Sequence, residues 1–325
     1  MVCVADVLER YVLFIGCAYA RSGAPPHRST IALARALQLD IWEAPNTGCC
    51  GARADRRVGE AARRQTLDPL YDAARQGLDI VCLSPACRRV VARHAPSTLD
   101  VERPGAPRVR DVTGLLAETY GTARLAQAAA GNGLSGLRVA LHGTCHADHN
   151  VLLRDTPSTE GKATRRVPLL AGLLPKAASL QLPRRERGAG TRTLETGGTQ
   201  EVLALAELMA VVGTDDVGNV SAAGCCAQHP LLLGLRRRLL RGARSAPCLE
   251  LAAQAGAHVL VTPCFLCFIG LNRYQHSLQR SHPARGVPVL YVSQLLGLAC
   301  EVAPLRLELA RTTVSARRVL QPFLV

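Results

Sequence analysis

Short, unbroken apolar runs punctuate this chain, and stretches whose apolar residues return at helical spacing lie between them. Tyr11–Gly16, Leu78–Leu83, the run from Arg138 into Gly143-Thr144-Cys145, and His258–Thr262 are too short for ordinary helices and carry Val, Ile and Leu. Runs of this kind read as strands buried on both faces of a parallel sheet. Helical patterning is expected near Thr30–Gln38, Arg57–Gln76, Glu201–Val211 and Leu231–Gln254. Strands alternating with helices imply βαβ units. The expectation is an α/β protein of two similar Rossmann-like domains with parallel sheets.

The pattern occurs twice. Phe14-Ile15-Gly16-Cys17 and Leu141-His142-Gly143-Thr144-Cys145 each end an apolar run on a cysteine. Each is followed by a Gly-Cys-Cys triplet, Gly48-Cys49-Cys50 and Gly224-Cys225-Cys226, then by a helical stretch and a second strand. Those strands run into Ser84-Pro85-Ala86-Cys87 and Pro263-Cys264-Phe265-Leu266-Cys267. The expected division is a first domain over 1–135 and a second over 136–325, split near the glycine-rich Gly131–Gly136. That segment lacks the Gly-Lys-Ser/Thr ending of a phosphate loop and reads as a linker. The second domain carries an insertion, Arg154–Gln200, with nine basic and four acidic residues and much Pro, Gly and Thr. It is expected to be a mobile surface loop.

With 325 residues and 48% apolar residues the chain can bury two cores, although only 3% aromatics are available to fill them. The formal charge is +14, carried almost wholly by arginine, since only Lys162 and Lys176 are lysines. No basic-aromatic interleaving and no nucleic-acid module accompanies that charge, which argues against nucleic acid as a partner. Arg10 followed by Tyr11–Ala20 mimics a short signal peptide, but Asp6 and Glu9 make the leading segment acidic as well as basic. No apolar run approaches the ~20 residues that span a bilayer. A cytoplasmic protein is expected.

Thirteen cysteines, an odd number in a chain that needs no disulfide staples, point to metal or redox chemistry. In the second unit Cys145, Cys225, Cys226, Cys264 and Cys267 place five thiols on three loops at the carboxyl ends of strands, where open α/β sheets build their sites. Soft thiolates select zinc, copper(I) or iron-sulfur clusters. Adjacent cysteines grip one tetrahedral ion poorly, and five exceed what a structural zinc needs. Zinc remains the plainer alternative.

The doubled pattern of Cys…Cys-Cys-Gly…Cys-x-x-Cys resembles the cysteine-rich (CCG) domain. From Val12 to about Leu298 the chain is similar to the heterodisulfide reductase family, in particular to its subunit built of two such domains. Gly48-Cys49-Cys50-Gly51, Val261–Cys267, Val287–Tyr291 and Gln294–Gly297 carry the likeness. The resemblance implies that a complete motif holds a non-cubane four-iron four-sulfur (4Fe-4S) cluster. It implies disulfide–thiol chemistry as part of a larger complex. The implied partners are a subunit with cubane iron-sulfur clusters and a flavoprotein subunit. Electron-transferring subunits of glycolate, lactate and succinate dehydrogenase systems share the domain, so that role is the alternative activity. A metal-stabilised scaffold without catalysis is the third.

Two departures from the family pattern matter. In the first unit Ser84 replaces the first cysteine of Cys-x-x-Cys, leaving Cys17, Cys49, Cys50 and Cys87, with Cys82 two residues upstream as a substitute ligand. That site is expected to hold a second cluster or a zinc. In the second unit Ala227 follows the cysteine pair in place of glycine. Ser84 reads as a turn residue before Pro85, with a weak oxygen ligand as the alternative. Cys3, Cys248 and Cys300 read as packing or surface thiols. His142, His146, His149 and His229 read as loop residues, with His146 the best candidate for a role. For the insertion, limited proteolysis is expected to cut within 154–200 first while the metal content is unchanged; protection of that segment would contradict the reading.

Overall fold

The computed structural model describes residues 10–16, 25–44, 48–51, 58–96, 99, 107–129, 133–143, 199–220, 248–281 and 286–323. Most of the Arg154–Gln200 insertion, the linker residues before Gly133 and much of Leu231–Gln254 lie outside that set.

Two four-stranded, all-parallel sheets are present. The first contains β1 (Arg10–Phe14), β2 (Asp40–Glu43), β3 (Asp79–Cys82) and β4 (Val109–Asp111) in the order β2-β1-β3-β4. The second contains β5 (Arg138–Leu141), β6 (Asp215–Asn219), β7 (Val259–Thr262) and β8 (Val289–Tyr291) in the order β6-β5-β7-β8. The two orders are the same, so the sequence repeat is a repeat of topology. The central strands β1, β3, β5 and β7 are the apolar runs of the sequence. The edge strands β2 (Asp-Ile-Trp-Glu) and β6 (Asp-Asp-Val-Gly-Asn) carry charge and exposure, which blunts edge-to-edge pairing.

Helices lie between the strands, as crossovers between parallel neighbours require. They are α1 (Pro25–Ala36), α2 (Glu60–Arg75), α3 (Pro85–Arg93), α4 (Val112–Gly114), α5 (Thr122–Ala128), α6 (Thr199–Val211), α7 (248–254), α8 (Phe265–Ser281), α9 (Val292–Ala299) and α10 (Ala316–Leu320). A π-helical turn, Leu115–Gly121, joins α4 to α5. Helix α1 starts five residues earlier than its apolar period suggests, because proline is tolerated in a first helical turn.

One apolar core runs without a break from the α1 face of the first sheet through the second domain, joining Leu13, Leu33, Leu116, Leu141, Leu260 and Leu295. A second core fills the other face of the first sheet with Phe14, Leu67, Leu70, Tyr71 and Val91. The domains meet reciprocally: α1 packs on α9, and α6 packs on α4 and α5. Three buried hydroxyls pin the first of these contacts. Ser29 and Ser293 lie 2.7 Å apart, Oγ to Oγ, and Thr30 Oγ1 donates to Ser293 Oγ at 3.0 Å. Ser293→Ala is expected to lower stability to urea by about 1–2 kcal/mol, the range for removing one partner of buried hydrogen bonds, with the m-value unchanged. An unchanged midpoint would show that the hydroxyls contribute nothing across this contact.

Candidate functional site

The first cysteine site grows from three loops at the carboxyl edge of the first sheet. The β1 strand leads to Gly16, whose φ of +57° lies in the left-handed region that favours glycine. Gly48 opens the Gly-Cys-Cys triplet and lies so close to α2 that a Cβ there would come within 2.5 Å of Thr66 Oγ1. The triplet thus sits directly on the helix, with Cys49 half-buried and Cys50 fully buried. Gly51 closes it at φ +85°. Its counterpart Ala227 lies outside the described residues, as do Cys17, Cys145, Cys225 and Cys226.

The third loop follows β3. Cys82 is its last strand residue, fully buried in the core that also holds Cys50. Ser84 is the N-cap of α3: its Oγ accepts from the Ala86 N–H at 3.3 Å, with Pro85 next in the helix. This is the capping role for which serine is suited. Cys87 then stands on the first turn of α3, and its Sγ lies 3.7 Å from where a Gly16 Cβ would be. The end of β1 and the start of α3 therefore converge at the strand pair where this sheet order reverses, the usual ligand position in such sheets. A helix N-terminus also favours the anionic form of a thiol placed there.

The second unit repeats the device. Cys264 directly precedes α8 and Cys267 lies on its first turn; both are fully buried. The Cys264 N–H donates to Thr262 Oγ1 at 3.3 Å. Counted from the strand ends, Thr262 answers to Cys82, Cys264 to Ser84 and Cys267 to Cys87. The two equivalent cap residues touch: Ser84 Oγ and Cys264 Sγ are 3.6 Å apart.

Tyr291, at the end of β8, closes the junction. Its buried hydroxyl donates to the Leu83 carbonyl of the opposite domain at 3.1 Å. Its backbone N–H donates to Gln294 Oε1 at 2.9 Å, and Gln294 Nε2 donates to the Leu307 carbonyl at 2.8 Å. Burial first, and then Asp111, Cys264, Cys82 and Cys87, push the Tyr291 phenol well above its usual range. The ring therefore stands among thiols of both domains. Burial, followed by Cys50 and Asp111, raises the Cys82 thiol; Arg88 opposes this. Arg88 Nε also pairs with Asp111 Oδ2 at 3.2 Å.

Sequence reasoning assigned no role to Tyr291, Asp111 or Arg88. No sequence signal points to them: Asp111 and Tyr291 end the fourth strand of each sheet, and those strands are only three residues long.

The donors are soft sulfurs, and among the described ones Cys50, Cys82, Cys264 and Cys267 are buried. Soft sulfur donors of this kind suit an iron-sulfur cluster or zinc. Among the described residues, no three His, Cys, Asp or Glu side chains converge on one ion-sized point. Cys248 is a core residue, and Cys300 is half-buried with its thiol pushed up to about 11 by burial and by Glu301. His142 is buried and extends the β5–β7 ladder through its N–H. Cys3, His146, His149 and His229 lie outside the described residues.

No helix among the described residues is long and apolar enough to cross a membrane. The chain is 22% identical to the 8-methylmenaquinol:fumarate reductase membrane anchor subunit of Wolinella succinogenes, over 96% of this chain and 99% of that protein. In fold it is similar to the crystal structure of a hypothetical protein from Helicobacter pylori, with a TM-score of 0.53 and 9% identity. That match covers 94% of this chain, which spans only 52% of the other. The family model of the cysteine-rich domain (CCG) matches residues 11–91 and again 193–272, one match in each repeat. With its duplicated sheet and its paired cysteine loops, this chain belongs to the cysteine-rich domain family and carries two copies of the domain.

Proposed function

We propose that this chain is the iron-sulfur subunit of a multi-subunit oxidoreductase and that its two cysteine sites, in domains 1–135 and 136–325, work as a pair on sulfur substrates. The observation that carries the reading is the contact at the domain junction. Ser84 meets Cys264 at 3.6 Å, and Tyr291 stands among Cys82, Cys87 and Cys264. Loops from two domains would not converge this way if each merely closed a separate structural metal.

Cys145, Cys225, Cys226, Cys264 and Cys267 would hold a non-cubane 4Fe-4S cluster, and Cys17, Cys49, Cys50 and Cys87, with Cys82, a second cluster. When bound, such a cluster supplies one-electron carriers and an iron open to a sulfur ligand. The protein contributes the rest. Helix N-termini favour anionic sulfur at Cys87 and Cys267. The apolar cores shield the buried thiols from water. The Tyr291 bond to Leu83 holds the Cys87 loop in register with the second domain. Sets of five thiols that include adjacent cysteines favour a multi-iron object over a single zinc.

The reaction proposed is RSSR′ + 2 e⁻ + 2 H⁺ → RSH + R′SH, with electrons delivered by a partner subunit carrying cubane clusters and ultimately by a flavoprotein. The likeness to a fumarate reductase subunit favours a second reading, in which the chain only passes electrons within a flavoprotein dehydrogenase. In that reading an association with a membrane would run through partner subunits.

Anaerobic reconstitution with iron and sulfide separates these outcomes. About eight irons per chain are expected, and about four in Cys225→Ser or Cys264→Ser, where a hydroxyl replaces a soft thiolate. Cys82→Ala is expected to lower iron at the first site and change its paramagnetic spectrum. About four irons with one zinc in the unsubstituted protein would overturn the paired-cluster reading. Disulfide-dependent oxidation of reduced viologen is expected of the loaded protein; full iron loading without it would favour the electron-transfer reading.

A further inference from the structure

A second concave site lies away from the cysteines, where α1 meets the segment after α9. It is a cleft of about 360 Å³ lined by His27, Arg28, Ile31, Arg35, Glu43, Arg306 and Glu308, among others. That volume is within the range of small-molecule sites. Both domains build it: α1 and β2 supply one wall, and the turn carrying Arg306 and Glu308 supplies the other. His27, Ile31 and Arg35 stand four residues apart on one face of α1, so the helix presents an apolar side chain between two nitrogen bases.

The charges of the cleft are only partly matched. Glu308 Oε1 takes the Arg28 guanidinium at 2.6 Å and its Oε2 takes Arg311 at 3.2 Å. Glu43 Oε2 lies 3.2 Å from His27 Nε2, without hydrogen-bond geometry. Glu308 is therefore held by two guanidiniums, and Glu43 stands at the β2 side of the cleft beside His27. Glu308 is fixed further by its backbone, a non-glycine residue at φ +56°. Arg35 and Arg306 are exposed at the cleft and have no carboxylate partner among the described residues. Two unmatched guanidiniums beside an apolar floor form a receptor for an oxyanion, because each guanidinium presents a planar fork to two oxygens.

We propose that this cleft binds a small organic molecule bearing a carboxylate or a phosphate, held by Arg35 and Arg306 and seated on Ile31. Contacts from both domains mean that the bound molecule bridges the junction and stabilises their mutual position. The proposal is independent of the cysteine chemistry and of the metal content of the protein.

The test is calorimetric titration of the full chain with succinate and, separately, with inorganic phosphate, against sodium chloride at matched ionic strength. Saturable binding is expected for at least one probe, with a rise in melting temperature that grows with probe concentration. Preference between the probes tells carboxylate from phosphate. Arg35→Gln and Arg306→Gln are each expected to weaken binding by about tenfold or more, the scale of one lost charge-assisted pair. Arg10→Gln, which lies outside the cleft and stacks on Trp42, is expected to change nothing. Both cleft arginines are exposed, so their substitution leaves the fold intact. Heats equal to those of chloride for both probes would overturn the proposal. So would binding that survives both arginine substitutions, or binding only of a glutamate-rich peptide, which would make the cleft a protein-docking surface.

Discussion

Everything near the cysteines depends on one junction, the place where the two repeats meet at equivalent residues. Ser84 and Cys264 occupy the same position of their units and touch at 3.6 Å. The helix contacts are equivalent in the same way. The helix between the first two strands of each unit packs on the helical stretch that follows the fourth strand of the other, α1 on α9 and α6 on α4. This is the signature of an approximate twofold relation between the domains. A continuous core and a hydroxyl triad lock the relation. Because a close-packed core is not freely deformable, the separation of the cysteine loops is set by the scaffold.

Near-symmetry makes the differences informative. At Ser84 the first unit has a helix cap in place of a thiol, and the second has Cys264 at the same place without a side-chain hydroxyl. A serine Oγ caps a helix better than a sulfur does. Conversely, Cys82 occupies the place of Thr262, whose Oγ1 accepts the Cys264 N–H. A cysteine there is a weak acceptor at best, and a serine two residues on supplies a strong one for α3. The two substitutions are thus one exchange of roles: each unit has one hydroxyl acceptor and one thiol at these two positions, in opposite order. In each unit the hydroxyl accepts a backbone N–H two residues further on.

Most of the fold was legible in the sequence because parallel strands buried on both faces are continuous apolar runs, and β1, β3, β5 and β7 are such runs. The edge strands β2 and β6, which carry charge in place of an apolar run, and the three-residue strands β4 and β8, too short to carry a period, are not legible in this way. The apolar period locates α1 only from Thr30, because its first turn is Pro25-Pro26-His27-Arg28, which fits a helix start but adds no apolar period. The π turn at Leu115–Gly121 has no sequence signal beyond the glycine that ends it at φ +89°. Of the site, the cysteine loops and the local use of Ser84 before Pro85 were visible as spacing. The junction was not, because Tyr291 acts through a carbonyl 208 positions away in the chain. No local pattern reports a contact of that range.

The electrostatics of the junction follow from this arrangement. Two groups there prefer the neutral form when buried: the Cys82 and Tyr291 protons are both held more tightly, and Asp111 is one cause in each case. Asp111 has duties that suit an anion, accepting the Gly114 N–H at 2.9 Å as a cap and pairing with Arg88 at 3.2 Å. Arg88 follows Cys87 directly on α3. The same ion pair therefore ties the cysteine helix to the β4–α4 corner and places one positive charge beside the first-site thiols. It is a partly exposed charge, so its effect is screened on the solvent side. On the protein side it opposes the rise that burial imposes on Cys82. The cation beside the Cys82 thiol thus has a position set by the fold, and Asp111 sets that position for Arg88.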